Sequence, residues 1–408
     1  MKVSLPGLVY LERYCNEGTR NYSRHAAYTE AWSTYRPESV NSGFDLPCFI
    51  LPVAELNTYF ANPSEPLLDL YRTGDGFRFC VHPQVLKTHQ DEDYVRRLLT
   101  CGCPQAPLQV SPSSSTRTLF VRRQTPHHAL KVHFPFRISR YGRKMRDEVI
   151  EQAINVSREL EANIATFDDR FAFLREVIGV SFKNQTPQWP RGEHWGYLVR
   201  DMCPFPTSDM DVALVPGFAL YGKDIGNRQV APLLPRLIGQ RDPLDYVLEQ
   251  IMLPILRHWV SAFLHLGYML EPHGQNVLLE INVNHDIKRI VHRDLSVGID
   301  MRRRRYMALS ELPINDYNRM ETGHFASITY DKFMGAHFFE EIASLCQHTY
   351  GISPESFRRP CRDEFLRLFP DHQDYFPPSV QYFSEKYDQF GKPGFVDTKH
   401  PPVWRPGF

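Results

Sequence analysis

The sequence predicts an α+β fold, with mainly antiparallel strands in its first half and a helix-rich second half. Three observations carry this reading. Short apolar runs bounded by proline, glycine and polar clusters recur before Tyr221, around one clear hairpin pattern. The longest apolar stretch, Ile251 to Leu270, has helical spacing at Leu253, Leu256, Val260, Phe263 and Leu264. Asp147 to Phe173 repeats Val149, Ile150, Ala153, Val156 and Leu160 at the same kind of interval.

Residues 1 to 60 mix aromatic and polar residues without a strong period, apart from Phe49-Ile50-Leu51-Pro52-Val53, which predicts a buried strand. Leu67 to Tyr71 predicts a helical turn. Phe77 to Val81 predicts a strand that ends at His82-Pro83-Gln84, and Asp91 to Leu99 a helix that precedes a proline-rich connection from Pro104 to Pro112. Ser113 to Val121 reads as a polar loop entering a strand, and His128 to Phe136 as a second strand. Arg122 to Pro126 joins the two as a hairpin. Trp195 to Asp201 and Asp211 to Tyr221 are further strands or loops, with Arg200 and Asp201 as inward-facing charges, and Arg236 to Asp242 is a polar connection.

The Ile251–Leu270 stretch carries Arg257, His258 and His265, so it suits a core helix and not a membrane span. Gly267 and Pro272 end it, and Val277 to Ile281 predicts a short buried strand. Lys288 to Leu295 predicts a strand bearing the Arg293-Asp294 pair. Arg302 to Arg305 is either a solvated face or a contribution to an anionic-substrate pocket. Asp331 to His348 is a helix carrying His337, and the tail after Asp371 is rich in aromatics and proline. Three regions follow: a reduced N-terminal region over 1–60, a β-rich region over 61–230 and a helix-rich region over 231–408.

Composition removes some partners. The 408 residues hold 47 basic and 47 acidic side chains, so no global charge favours nucleic acid or an anionic membrane. The N-terminus reaches Glu12 and Arg13 too soon for a signal-peptide apolar region, and the expectation is a cytoplasmic protein without membrane partners. The 8 cysteines are scattered, and the close pair Cys101-Gly102-Cys103 fits neither the usual zinc nor the usual redox spacing.

Two clusters carry chemistry. Glu271-Pro272-His273-Gly274-Gln275-Asn276 sets a carboxylate, an imidazole and two amides at a helix-to-strand junction; on an extended backbone Glu271, His273 and Gln275 face one way and Pro272, Gly274 and Asn276 the other. The plain alternative is a polar surface turn. The second cluster is the hairpin with Ser115, Arg117 and Lys131, followed by Arg143: cations and a hydroxyl that suit phosphate if they share a cleft, and guard strand edges if they do not. Ile290-Val291-His292-Arg293-Asp294-Leu295 imitates a protein-kinase catalytic loop. The asparagine required five residues on is Ile299, and no glycine-rich loop precedes it, so that reading fails.

Taken together, His82-Pro83, Ser115-x-Arg117-Thr118, Leu130-Lys131-Val132, Ser139-x-x-x-Arg143, Glu271-x-His273-Gly274-Gln275-Asn276 and Arg293-Asp294 resemble the successive signatures of the IucA/IucC family, the NRPS-independent siderophore synthetases typified by aerobactin synthetase. The resemblance spans roughly residues 75 to 350, with an echo at Thr398-Lys399 and Arg405. It implies a cupped-hand architecture of β-rich fingers and helix-rich palm, usually dimeric, and an ATP-dependent ligase that forms an acyl-adenylate from a carboxylic acid and condenses it with an amine or alcohol. It further implies catalytic roles for His273, Arg143 and Lys131, and ATP contacts from Ser115, Arg117, Thr118, Lys131, Ser139, Arg143, Gln275 and Asn276. Substrate contacts would come from His82, Arg200, Arg293 and His337, and Mg2+ ligands from Glu271 and Asp294. The shortfall against typical members lies before His82, and Gln84 stands where the family has tryptophan. A non-catalytic nucleotide-binding or regulatory protein of the same fold is the competing expectation.

Overall fold

Alternating apolar residues in the first half need a common partner face, and a large antiparallel sheet supplies it. The computed structural model describes residues 5–19, 28–139, 141–183, 195–208, 211–227, 229–310, 318–387 and 393–407. The sheet has 9 strands in the order Leu56–Phe60, Glu176–Phe182, Gly196–Asp201, His128–Val132, Thr118–Val121, Cys103–Pro112, Phe44–Pro52, Gly76–Cys80 and Arg72–Thr73. It curls over its own core. Phe79, near one edge, meets the rings of Phe182, Trp195 and Tyr197 from the opposite side at centroid distances of 4.9, 5.1 and 5.8 Å, and the Tyr197 hydroxyl donates to the Arg78 carbonyl. The helix Asp147–Ala162 covers the other face, with Ile150, Ala153 and Ile154 buried beside Leu198.

The second half builds a separate core. A 4-stranded sheet, in the order Phe171–Phe173, Ile287–His292, Val277–Asn282 and Val212–Pro216, packs with the predicted apolar helix, here Leu253–Leu266. Gly267 closes that helix at φ +69, a left-handed conformation that costs glycine little. A helix from His324 to Tyr350 takes wide π-type turns between Ile328 and Phe339, which carry Phe333 and His337. The large sheet draws strands from before residue 61 and the smaller sheet draws strands from before residue 231, so neither sheet stops at those positions.

Several expected elements differ. Pro104 to Pro112 is a strand, not a connection: the sheet partner on its second side pairs only with residues 110 to 112, so Pro104 and Pro107 sit where a missing N–H costs no ladder bond. The helix from Asp147 stops at Ala162, where the Asn163 amide side chain turns back to the Glu159 carbonyl (2.8 Å), and Phe171–Phe173 has become a strand. The strand expected over Lys288 to Leu295 ends at His292, leaving Arg293 and Asp294 beyond it. The Arg236–Asp242 connection is partly the helix Leu233–Ile238. Arg305 is exposed and pairs with Glu321 at the surface (2.7 Å), but the other three are neither a solvated face nor pocket wall: Arg302 pairs with Asp300 (2.6 Å), Arg304 with Glu159 (2.9 Å), and Arg303 donates to the Leu264 carbonyl (2.8 Å). They lock the helix Met301–Tyr306 in place. No described helix is long and apolar enough to cross a membrane.

Candidate active site

The two halves face each other across a cavity of about 270 Å³. Its wall on the large-sheet side is the loop before Thr118, the strand carrying Lys131 and the segment from Ser139 to Arg143; the opposite wall is the Glu271–Asn276 turn with Arg293 and Asp294. Every predicted site residue lines it except His82 and His337. The hairpin register explains the convergence on one side: Thr118 pairs with Lys131, and Leu198 pairs with Lys131 from the next strand, which sets Arg200 two residues along.

The cations are held by the fold before any ligand arrives. Lys131 Nζ donates to Asp294 Oδ1 from a nearly fully buried position. Burial lowers the Lys131 pKa, with Asp294 opposing it; burial alone would raise Asp294, but Lys131, Arg200 and Arg117 hold that carboxyl well below its usual range. Asp294 is therefore ionised at any working pH. Arg117 donates to the Arg143 carbonyl (3.1 Å), and burial lowers its pKa to about 10, leaving it charged. Arg200 is committed to the buried Glu176 (3.1 and 2.5 Å), so its charge is largely neutralised. Backbone strain gathers here: Thr116, Ser139 and Asp294 all have positive φ (66, 62 and 71°), and for the β-branched Thr116 this is a true departure. The Ser139 hydroxyl is buried without a hydrogen-bond partner, as is that of Ser296, which sequence reasoning missed. Two orphaned hydroxyls facing a cationic cavity fit phosphate oxygens.

The Glu271–Asn276 segment is a turn, not an extended strand. The His273 amide donates to the Glu271 carbonyl (2.9 Å), and those of Asn276 and Val277 to the His273 carbonyl (2.9 and 3.2 Å). Curvature brings Asn276 into the same wall as Glu271, His273 and Gln275, where alternation would have turned it away. Burial, then the proximity of His337, lowers the His273 pKa to about 3. Its Nδ1 accepts from the Gln275 amide (3.2 Å), which assigns the ring proton to Nε2. His273 is thus a neutral hydrogen-bond donor. Burial, then the neighbouring Asp294, raises Glu271 to about 8 against Lys131 and Arg143.

All four predicted substrate contacts sit elsewhere or are otherwise engaged, Arg200 on Glu176 as described. His82 is wholly buried among the rings of Tyr35, Phe44 and Phe134 and caps the helix Pro83–Thr88 by accepting from the Gln84 amide (3.2 Å). His337 lies behind the cavity wall against Phe333 and Tyr382. Arg293 reaches the cavity but spends its guanidinium on the Gln275 carbonyl (2.7 Å) and on Glu12 (2.5 Å). Arg405, the C-terminal echo, is buried against Asp331 (3.1 Å). Sequence reasoning also missed the apolar wall of Phe325, Phe333 and Phe383, which reaches the cavity from distant elements.

The IucA / IucC family matches residues 72–221, the span that carries the hairpin, Lys131 and Arg143. Over that span the chain is similar to the IucA/IucC family. A second family, described as ferric iron reductase FhuF-like transporter, matches residues 246–395. Among solved structures, the petrobactin biosynthesis protein AsbB from Bacillus anthracis str. Sterne aligns with a TM-score of 0.75 at 15% identity, covering 98% of this chain and 76% of that one. ATP-bound aerobactin synthetase IucA from a hypervirulent pathotype of Klebsiella pneumoniae aligns at 0.71 with 11% identity, covering 99% and 78%. Aerobactin synthetase IucC from the same source aligns at 0.68 with 14% identity, covering 92% and 73%. The α+β, cupped-hand architecture of this chain is therefore that of the synthetases, and both matched spans lie within it. No curated protein sequence matches the chain.

Proposed function

We propose that the protein is an ATP-dependent ligase that activates a carboxylic acid as an acyl-adenylate, with AMP and pyrophosphate as products, and transfers the acyl group to an amine or alcohol in siderophore-type or related specialised-metabolite biosynthesis. The observation that carries this is the make-up of one cavity: Arg117, Lys131 and Arg143 with the Ser115 and Ser139 hydroxyls on one wall, a neutral imidazole and two carboxylates on the other. The ATP-bound state of the IucA structure, whose fold this chain shares, supports it.

ATP, when bound, supplies the adenylyl group that turns a carboxylate oxygen into a leaving group. The cations would hold its phosphates, and their attachment to the fold spares the cost of reorganising them during reaction. Lys131 stays charged because Asp294 is ionised beside it. His273, neutral, donates through Nε2 toward charge developing on an oxygen and does not serve as a general acid near pH 7. Asp294, ionised, and Glu271, once the ion displaces its proton, fit Mg2+, which usually takes one or two carboxylates and completes its shell with substrate oxygens and water. Among the described residues no group of three or more His, Cys, Asp or Glu forms a cage for a metal, so the substrate would share the ion. A homodimer and a cytoplasmic setting belong to the same proposal, and light scattering tests the first.

The test is pyrophosphate release from ATP and Mg2+ with a panel of di- and tricarboxylic acids, with and without amines. Acid-dependent release is expected; ATP left intact with every acid overturns the reading.

A further inference from the structure

Glu12 lies in the short helix Leu8–Tyr14, far in sequence from every signature of the cavity, yet its carboxylate is wholly buried against both cavity walls. Its Oε2 accepts from the Ser114 amide (3.0 Å) and the Ser114 hydroxyl (2.7 Å). Its Oε1 accepts from Arg293 (2.5 Å). Arg293 Nε donates to the Gln275 carbonyl (2.7 Å), and Gln275 Nε2 donates back to the Ser114 hydroxyl (3.2 Å). The contacts form a closed circuit of four residues from four segments, none of them within a strand. The post itself is fixed: the next residue, Arg13, donates to the carbonyls of Pro37, Ser39, Asn41 and Ser42 at 2.6 to 2.9 Å.

We infer that Glu12 is a positioning residue of the active site, which sets the Ser113–Thr118 loop against the Glu271–Asn276 turn. The inference rests on the nucleotide reading above. Two features require a device of this kind. The loop holds Thr116 at a left-handed φ of 66°, a conformation that persists only where its surroundings impose it. The turn and the loop belong to different cores, so backbone pairing within either sheet cannot fix their separation. A carboxylate accepting from both sides does so, since charge-assisted hydrogen bonds are the short, strong ones. Glu12 touches neither wall's reacting groups directly; it acts through Ser114, Arg293 and Gln275.

Glu12→Gln tests this, with Glu280→Gln as control. Glu280 is equally buried and pairs with Arg289 (2.5 and 2.7 Å), away from the cavity, so it reports what losing a buried charge pair does to stability alone. Two readouts are taken on folded protein: ATP affinity by titration, and hydrogen exchange of a peptide covering residues 113–118. Glu12→Gln is expected to weaken ATP binding about tenfold and to speed exchange in that peptide, while Glu280→Gln changes neither. Unchanged affinity and exchange in folded Glu12→Gln overturns the inference, as does an equal loss in Glu280→Gln. If the wild-type protein binds no ATP, the nucleotide reading falls and the exchange measurement alone decides the positioning role. Should Glu12→Gln fail to fold, Glu12→Asp keeps the charge but is one methylene too short to span both walls, and the same two readouts apply.

Discussion

His273 and His82 share an electrostatic state and differ in use. Burial lowers both to a pKa of about 3, so charge alone does not separate a cavity donor from a core histidine. Geometry does. His273 lines the cavity with its proton on Nε2, and we expect His273→Ala to slow acid-dependent pyrophosphate release by about a hundredfold, the usual effect of removing one oxyanion-type donor, with ATP affinity little changed. Single-turnover kinetics beside an ATP titration checks this; normal turnover in folded variant protein refutes it. His82 instead caps a helix, a role asparagine also fills, so His82→Asn should preserve the fold and ATP binding. It should also change the response to acid. A histidine whose folded pKa lies near 3 and whose unfolded pKa lies near 6.5 contributes stability present above pH 6.5 and lost as pH falls through the window between them, because the unfolded chain takes up the proton first. Replacing it should reduce the loss of unfolding free energy between pH 7 and 5.5 by about 1.3 kcal/mol, read from denaturant curves at the two pH values. In the sequence His82-Pro83 looked like a signature; the rings that enclose it come from positions 35, 44 and 134, beyond any local pattern.

At the scale of elements, periodicity served where one element met one environment. The apolar helix, its glycine stop and the strand after it stand where spacing put them, because all three are buried on most sides. The Glu271–Asn276 segment misled because alternation describes an extended chain, whereas this one folds back onto the His273 carbonyl with Gly274 inside the turn. A Cβ at Gly274 would lie 2.5 Å from the Tyr221 hydroxyl and 3.0 and 3.1 Å from the Phe218 N and Cα, and the Gly274 carbonyl accepts from the Phe218 amide (2.9 Å). The glycine in the motif is therefore a close-approach position, and backbone at Phe218 cannot yield as a flexible side chain would. Gly274→Ala should destabilise the protein by about 1–3 kcal/mol, typical of overpacking, and should cut turnover further than a stability loss explains, since the turn must shift with His273 and Gln275 on it. Calorimetry and initial rates measure the two effects; a variant that melts lower with full turnover would show that the turn tolerates displacement.

The whole molecule sets what no local pattern displays. The cavity exists because a curled sheet and a helix-backed sheet meet, and the contacts that join them run over separations of 102, 163 and 281 residues through Glu12–Ser114, Lys131–Asp294 and Glu12–Arg293. Sequence reading found Lys131 and Asp294 through their motifs but had no handle on Glu12, whose one distinction is its partners. A seam closed by a few charge pairs should respond to a ligand that bridges both walls. ATP with Mg2+ at a hundred times its Kd should raise the unfolding free energy by about 2.7 kcal/mol, as mass action requires for a ligand that binds only the folded state. The melting temperature should then climb with ATP concentration, and chelating Mg2+ should remove part of the gain, because the ionised Asp294 would face the phosphates without an ion between them. A non-catalytic nucleotide binder predicts the same climb, so stabilisation alone does not establish a ligase. The two part company when acids are added to the stabilised complex: a ligase converts ATP to AMP and pyrophosphate with its own acid and loses the ATP-dependent gain as the nucleotide is consumed, whereas a binder holds it indefinitely.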